Sequence, residues 1–383
     1  MHILVIRSNL PDMGPGTQAL TVAKQMRSLG HTVSFATSGG VLLPLVIEAG
    51  FKVHLVPELA HDRHDPFSVL KAVQALASII RDERPDVIHG HNAAATICGW
   101  LGGLATGRRL PCVTSVRGVE ERASHGWRNQ IWKRVPGILL GVCEKTRDRL
   151  VSFGVPAEKV VVTYNGVDTK RFVPSPEMRA EQRAKLGLTD EIVVGSVGAM
   201  VAFEGEEGAG KGQHLLVRAA ARLKDKHPGL RVLLVGDGTG RPLVEAIAAE
   251  TGMTERVMFV GRRFDTPELL SVMDIYALPS ILGEFFPNSI VEAMCMNLPW
   301  IGSDIAGLSE LTANNEAGWV SPIGDVDALT ADLDRLVSDA ELRRTRGDRA
   351  RREVLERLTI EKVTDRILNA FIAAGARPEI VRP

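Results

Sequence analysis

The chain has 383 residues, 45% hydrophobic and 24% charged, a composition that excludes disordered and fibrous classes and allows two or three domains with their own cores. Its 46 basic residues balance 46 acidic ones, so no net field favours nucleic acid. The four cysteines, Cys98, Cys112, Cys143 and Cys295, form no CxxC pair. That removes zinc-knuckle and thioredoxin-type readings and fits free thiols in a reducing cytosol.

The first residues are already apolar, with no basic leader region, and no apolar stretch approaches the roughly 20 residues that cross a bilayer. The expectation is a cytoplasmic protein, at most peripheral to the inner face of a membrane. Residues 3–6 read as a buried parallel strand, and 14–16 as a glycine-rich turn. Ala19, Val22, Ala23, Met26 and Leu29 recur at helical spacing up to Gly30. A strand over 32–36 follows, then a helix capped by Asp65-Pro66 and marked by Val69, Val73, Leu76 and Ile80. Further strands fall at 87–89, 112–116, 138–142 and 159–163. The stiff segment Phe172-Val173-Pro174-Ser175-Pro176 reads as a linker.

The alternation then restarts, with strands at 192–197, 232–235, 257–260, 275–278 and 300–302, and closes on charged helices at about 328–356 and 360–374. Strand alternating with helix implies parallel sheets covered on both faces. The division is 1–174, 175–360 and a final helical segment 361–383 that could pack back on the first domain. Ligands in such sheets bind beyond the carboxyl ends of the strands. Interest therefore falls on 14–16, 117–118, 199–211, 236–240, 262–263 and 279–288.

The most informative stretch runs from Pro279-Ser280 through Glu284 to Asn288-Ser289-Ile290-Val291-Glu292. A strand ends at Pro279, and Asn288 is a natural helix cap, so the amides of Ser289 and Ile290 form a seat for phosphate. Glu284 and Glu292 flank that seat, and a carboxylate accepts two hydroxyl hydrogen bonds from a vicinal diol. Two glutamates alone are as readily a loop charge and a solvated helix residue.

This Glu-x7-Glu pattern after Pro-Ser resembles the signature of family 4 of the retaining glycosyltransferases. Other segments resemble that family in chain order: Leu29-Gly30-His31-Thr32-Val33, Asp86-Val87-Ile88-His89-Gly90-His91, Asn165-Gly166-Val167-Asp168 with Arg171-Phe172, Leu234-Val235-Gly236-Asp237-Gly238, and Val260-Gly261. The resemblance implies an α/β protein of the GT-B fold, two Rossmann-like doubly wound domains facing across a cleft. It implies transfer of a hexose from a nucleoside-diphosphate sugar, UDP- or GDP-linked, to an acceptor hydroxyl, without metal or cofactor. By it Glu284 would hold the hexose, Glu292 the ribose hydroxyls, and Asn288, Ser289 and Ile290 the diphosphate. Gly14 and Gly16 would form a flexible loop toward the same phosphates, the backbone at Arg262 and Arg263 would meet the base, and Lys211 would stabilise the departing diphosphate. His91 and Arg117 fall on the acceptor side, Arg117 where the family commonly has histidine, so that Arg117 could hold an anionic acceptor. The acceptor itself could be a sugar, a lipid-linked group or an anion.

The family's second phosphate cation, an arginine, is replaced here by Ala199, and Arg117, Arg241 and Arg263 are candidate substitutes. Glu204, Glu206 and Glu207 add negative charge to that loop, and Phe285 stands where glycine is usual. A nucleotide-sugar-binding protein with degraded catalysis is the alternative these departures suggest. A near Walker A loop, 205–212, ends in Lys211-Gly212, without the Ser or Thr that ligates magnesium. Residues 107–149 hold ten basic against four acidic residues, interleaved with Trp127, Ile131 and Trp132. They suggest contact with an anionic membrane or acceptor, or a solvated face over core aromatics. His61, His64, His89 and His91 show no carboxylate spacing for a metal.

Overall fold

The computed structural model describes residues 1–11, 14–60, 65–118, 129–202, 210–282, 284–305 and 307–377. The chain forms two compact units, Met1–Gly166 together with the segment from Ile360, and Val167–Thr359.

In the first unit the described strands are β1 (His2–Arg7), β2 (Thr32–Thr37), β3 (Lys52–Leu55), β4 (Val87–Gly90), β5 (Cys112–Val116), β6 (Ile138–Gly141) and β7 (Val160–Val162). They make one parallel sheet in the order β3-β2-β1-β4-β5-β6-β7. The apolar runs predict this burial: β1 reads Ile3-Leu4-Val5-Ile6, all core, with Ile3 opposite both Val33 and Val87. One face packs on Ala23, Met26, Val363, Ile367 and Phe371, the other on Leu76, Ile80 and Cys98. The helix Ile360–Ala373 thus supplies core to the first unit.

The second unit repeats the design with β8 (Ile192–Val197), β9 (Leu230–Val235), β10 (Val257–Phe259), β11 (Ile275–Leu278), β12 (Trp300–Ser303) and β13 (Gly318–Ser321). Their order is β10-β9-β8-β11-β12-β13, again parallel. Val194, Val232, Ile275 and Ile301 join Leu216, Val217 and Leu333 in its core. In each sheet the strand order reverses beside the first strand, between β1 and β4 and between β8 and β11. Such a switch point leaves a crevice beyond the strand ends, because the connections on its two sides depart in opposite directions.

Four expectations are corrected. The changeover between units falls after Gly166 and again at Ile360, not at 174/175 and 360/361. The proline segment is docked into the second unit: Phe172 is buried, its carbonyl accepts from the Cys295 thiol at 3.2 Å, and Ser175 caps the helix Pro176–Lys185 by accepting from Met178 N–H at 3.1 Å. Gly14 and Gly16 are not a loop but the first turn of the helix Gly14–Ser28, where Gly16 is required because a Cβ would collide with the Pro11 carbonyl oxygen. Asn288 is the first residue of the helix Asn288–Cys295, with Pro287 at the cap position.

Candidate functional site

The second unit's switch point is built by two loops, one after β8 and one after β11. The Gly210 amide donates to Val201 O at 2.9 Å, and Gly210 O accepts from Ile281 N at 2.9 Å and Leu282 N at 3.2 Å, tying the loops together. Gly212, at φ 71°, turns the chain into the helix Gln213–Leu223, and a Cβ there would collide with the Pro279 carbonyl oxygen. This is why no Ser or Thr follows Lys211, and it removes the Walker A reading at the position that would ligate magnesium. Residues 203–209, including Glu204, Glu206 and Glu207, lie outside the described residues.

Lys211 lays its stem over Gly198, where a Cβ would stand 3.4 Å from Lys211 Cγ. Its Nζ pairs with Glu284 Oε1, which also accepts from Ser280 Oγ at 3.4 Å. The two residues assigned to catalysis, far apart in sequence, are therefore ion-pair partners. Their exposure differs: the Glu284 side chain is 5% exposed and that of Lys211 30%. Burial pushes the Lys211 ammonium down to about 8, and the Glu284 carboxylate is the counter-charge that favours its protonated form.

Beside this pair begins the helix Asn288–Cys295, whose cap residue Pro287 offers no side-chain acceptor. The cap side chain therefore takes none of the donors of the first turn. The Ser289 hydroxyl is engaged by Tyr276, which is wholly buried and whose hydroxyl also donates to Val197 O at 3.2 Å. This brace from β11 to the end of β8 was not legible in the sequence. Ile290 is 0% exposed, a core residue, so Asn288 and Ser289 are the members of the predicted seat that reach the surface. Glu292 sits one turn further on, half-buried, with its carboxyl pushed up to about 7 by desolvation against the opposing pull of Arg171.

Arg262 and Arg263 follow β10 in a segment held to β9 by the Gly236 N–H to Gly261 O bond at 2.8 Å. Arg262 lies 5.2 Å over the Phe264 ring, and Arg263 pairs with Asp265, Nε to Oδ1 at 2.8 Å. Arg241 pairs with Glu245 at 2.7 Å and Asp237 at 3.3 Å. Two of the three candidate substitutes for the missing arginine thus already carry carboxylate partners.

In the first unit, His91 follows β4 and Arg117 follows β5, on neighbouring strands. His91 Nδ1 lies 3.1 Å from Arg7 Nη1, and Arg117 donates to Asn165 Oδ1. His89 bonds the Ser115 hydroxyl at 2.9 Å and stacks 4.5 Å from His91. Burial and the neighbouring cations hold both imidazoles below the ordinary range, His89 at about 3, so both are neutral side chains. Arg7 is the residue that sequence reasoning missed. Its signal was a charged residue ending the apolar run of β1, at the carboxyl edge where ligands bind. In the basic segment, Trp132 packs on the small core of Leu139, Leu150 and Val155, whereas Ile131 is exposed. Arg122, Trp127 and Arg128 lie outside the described residues, as do His61 and His64. Among the described residues no helix is long and apolar enough to cross a membrane.

Residues 14–171 match the family model "Glycosyltransferase Family 4" and residues 178–353 the model "Glycosyl transferases group 1". The chain is 30% identical over 374 residues to the putative glycosyltransferase EpsD of Bacillus subtilis, covering 94% of each. It is 24% identical over 371 residues to the N-acetyl-alpha-D-glucosaminyl L-malate synthase of Bacillus anthracis, covering 91% of each. The crystal structure of Anabaena HepE in complex with UDP superposes with a TM-score of 0.83 at 21% identity, over 97% of this chain and 100% of that one. The two parallel-sheet units are the two Rossmann-like domains of the GT-B fold. The chain belongs to the group 1 glycosyltransferases.

Proposed function

We propose that this chain is a retaining, metal-independent hexosyltransferase that moves a hexose from a UDP- or GDP-linked sugar to an acceptor hydroxyl, in the cytoplasm, for a cell-envelope polysaccharide or glycolipid. The observation that carries the reading is the Lys211–Glu284 pair at the second unit's switch point, beside the start of the helix Asn288–Cys295. A capsular polysaccharide glycosyltransferase of Staphylococcus aureus among the relatives supports the cell-envelope setting, and UDP in HepE supports the donor class. Four buried free cysteines suit a reducing compartment.

On donor binding the diphosphate takes Glu284's place on Lys211 and meets the Asn288 and Ser289 amides. Glu284, released, accepts from the hexose hydroxyls, and Glu292 from those of the ribose. In the transfer step the acceptor oxygen bonds to the anomeric carbon on the face the diphosphate leaves. The bond from that carbon to the phosphate oxygen breaks, its electron pair stays with the nucleoside diphosphate, and the acceptor proton passes to the departing phosphate. Lys211 and the amides act where charge develops, which is where fixed donors lower a barrier most.

The test is nucleoside diphosphate release from UDP- and GDP-hexoses by pure protein in EDTA, with and without acceptors. Turnover that survives EDTA and disappears in Glu284→Ala supports the reading; wild-type-like turnover in that variant overturns the role of Glu284. A nucleotide-sugar-binding protein without transfer is the second reading. It is favoured by Ala199 and by the carboxylates on Arg241 and Arg263, and it gives donor binding with no release.

A further inference from the structure

Arg7 and Arg117 stand at the carboxyl ends of β1 and β5, on either side of β4, at the first unit's switch point. Arg7 is 7% exposed and donates to Asn9 O at 2.9 Å and Pro15 O at 2.9 Å, besides its contact with the neutral His91. Arg117 gives one nitrogen to Asn165, while its Nε is buried without a partner. Among the described residues neither guanidinium has a carboxylate partner. Burial holds Arg7 at about 10 and Arg117 at about 9, the latter lowered further by the charge of Arg7. Arg183, as buried as Arg7, has Asp274 at 3.5 Å.

Buried charge without a counter-ion is strongly unfavourable, and neutral oxygens compensate it only in part. Among the described residues Arg7, which is buried, and Arg117, which is half-buried with an unused buried donor, face no anion at the point where this sheet type takes its ligands. We propose that Arg7 and Arg117 form a site for an anionic group of the acceptor, a carboxylate or a phosphate, near the hydroxyl that receives the sugar. This rests on the transferase reading above. Guanidinium forks match both anions, and the neutral His89 and His91 add no competing negative charge.

The experiment is calorimetric titration in two stages. UDP or GDP is titrated first and then kept saturating, so that the second unit's diphosphate site is filled. Inorganic phosphate, D-glycerate and neutral glycerol are then titrated in turn. The wild type binds at least one anion and not glycerol, and the preferred anion separates phosphate from carboxylate. Arg117→Gln weakens that binding tenfold or more, whereas Arg117→Lys, which keeps the charge, retains part of it. Because it removes an uncompensated charge, Arg117→Gln melts no lower than the wild type. Arg7→Gln repeats the loss of binding independently. The proposal is overturned if neither anion binds under saturating nucleotide, if Arg117→Gln binds as the wild type does, or if it melts several degrees lower. Failure of every nucleoside diphosphate to bind in the first stage contradicts the donor reading instead.

Discussion

Both units end their first strand beside a reversal of strand order, and both place cations there, but among the described residues the second alone places a carboxylate against one. Lys211 has Glu284; Arg7 and Arg117 have carbonyls, an amide and a neutral imidazole. The same sheet order therefore yields two electrostatically different crevices. In the second, a ligand that binds Lys211 as proposed would displace an internal partner, so binding there would be an exchange. In the first, a ligand would supply a charge that the described residues lack. Because the scaffold is shared, the ligand class at a switch point is set by the balance of charges grafted onto the strand ends.

The comparison breaks most readily at Lys211. Replacement by Met leaves Glu284, nearly sealed from solvent, without its counter-charge. We expect transfer to fall by about 10²–10³-fold, the usual consequence of losing one donor at a developing anion. Stability should fall by about 2–3 kcal/mol, as burying an unpaired carboxylate requires. Steady-state kinetics and chemical unfolding measure both, and unchanged turnover would contradict the assignment.

The pH profile sharpens the same pair. Lys211 is protonated below about 8, so its attraction for diphosphate is present there and fades as pH rises through that value. Glu292, held at about 7 by burial, would accept ribose hydroxyls on the proposed reading as a carboxylate above that value and lose this role as pH falls. The donor kcat/KM should therefore peak between about 7 and 8 and drop tenfold per pH unit on each side, since kcat/KM reports the free enzyme. A flat profile from pH 6 to 9 would remove both groups from donor binding.

A smaller effect is expected at Gly212. Gly212→Ser completes the Walker A pattern in sequence, but it puts a side chain at φ 71° against the Pro279 carbonyl. It should destabilise by about 2 kcal/mol, by strain and collision, and gain no stabilisation from magnesium-ATP in a thermal melt. A magnesium-ATP response would revive the rejected motif.

Much of this was legible because periodicity and turn chemistry are local. The apolar run of β1 and the helix capped by Asp65 and Pro66 stand where their patterns place them. The helix Ala93–Ala105 was not legible, because its glycines are poor helix formers. They are there for close packing: a Cβ on Gly102 would stand 3.2 Å from Leu76 Cβ, and one on Gly99 would collide with Ile6. At the site, the residue types at 211, 284 and 292 were visible, but not that Lys211 and Glu284 touch. That contact exists only because β8 and β11 are neighbours, a fact of sheet order. The uncompensated state of Arg7 and Arg117 is likewise a property of what surrounds them in space.

The exchange at Lys211 is tested most directly by calorimetric titration of UDP and GDP into the wild type and Glu284→Gln. Without the carboxylate, Lys211 has no internal partner to give up, and its partly exposed ammonium still reaches water. The account predicts that Glu284→Gln binds the favoured diphosphate about 3–10-fold more tightly, roughly 1 kcal/mol, while hexose transfer is lost. Diphosphate binding as weak in Glu284→Gln as in Lys211→Met would contradict it, leaving the pair a structural contact.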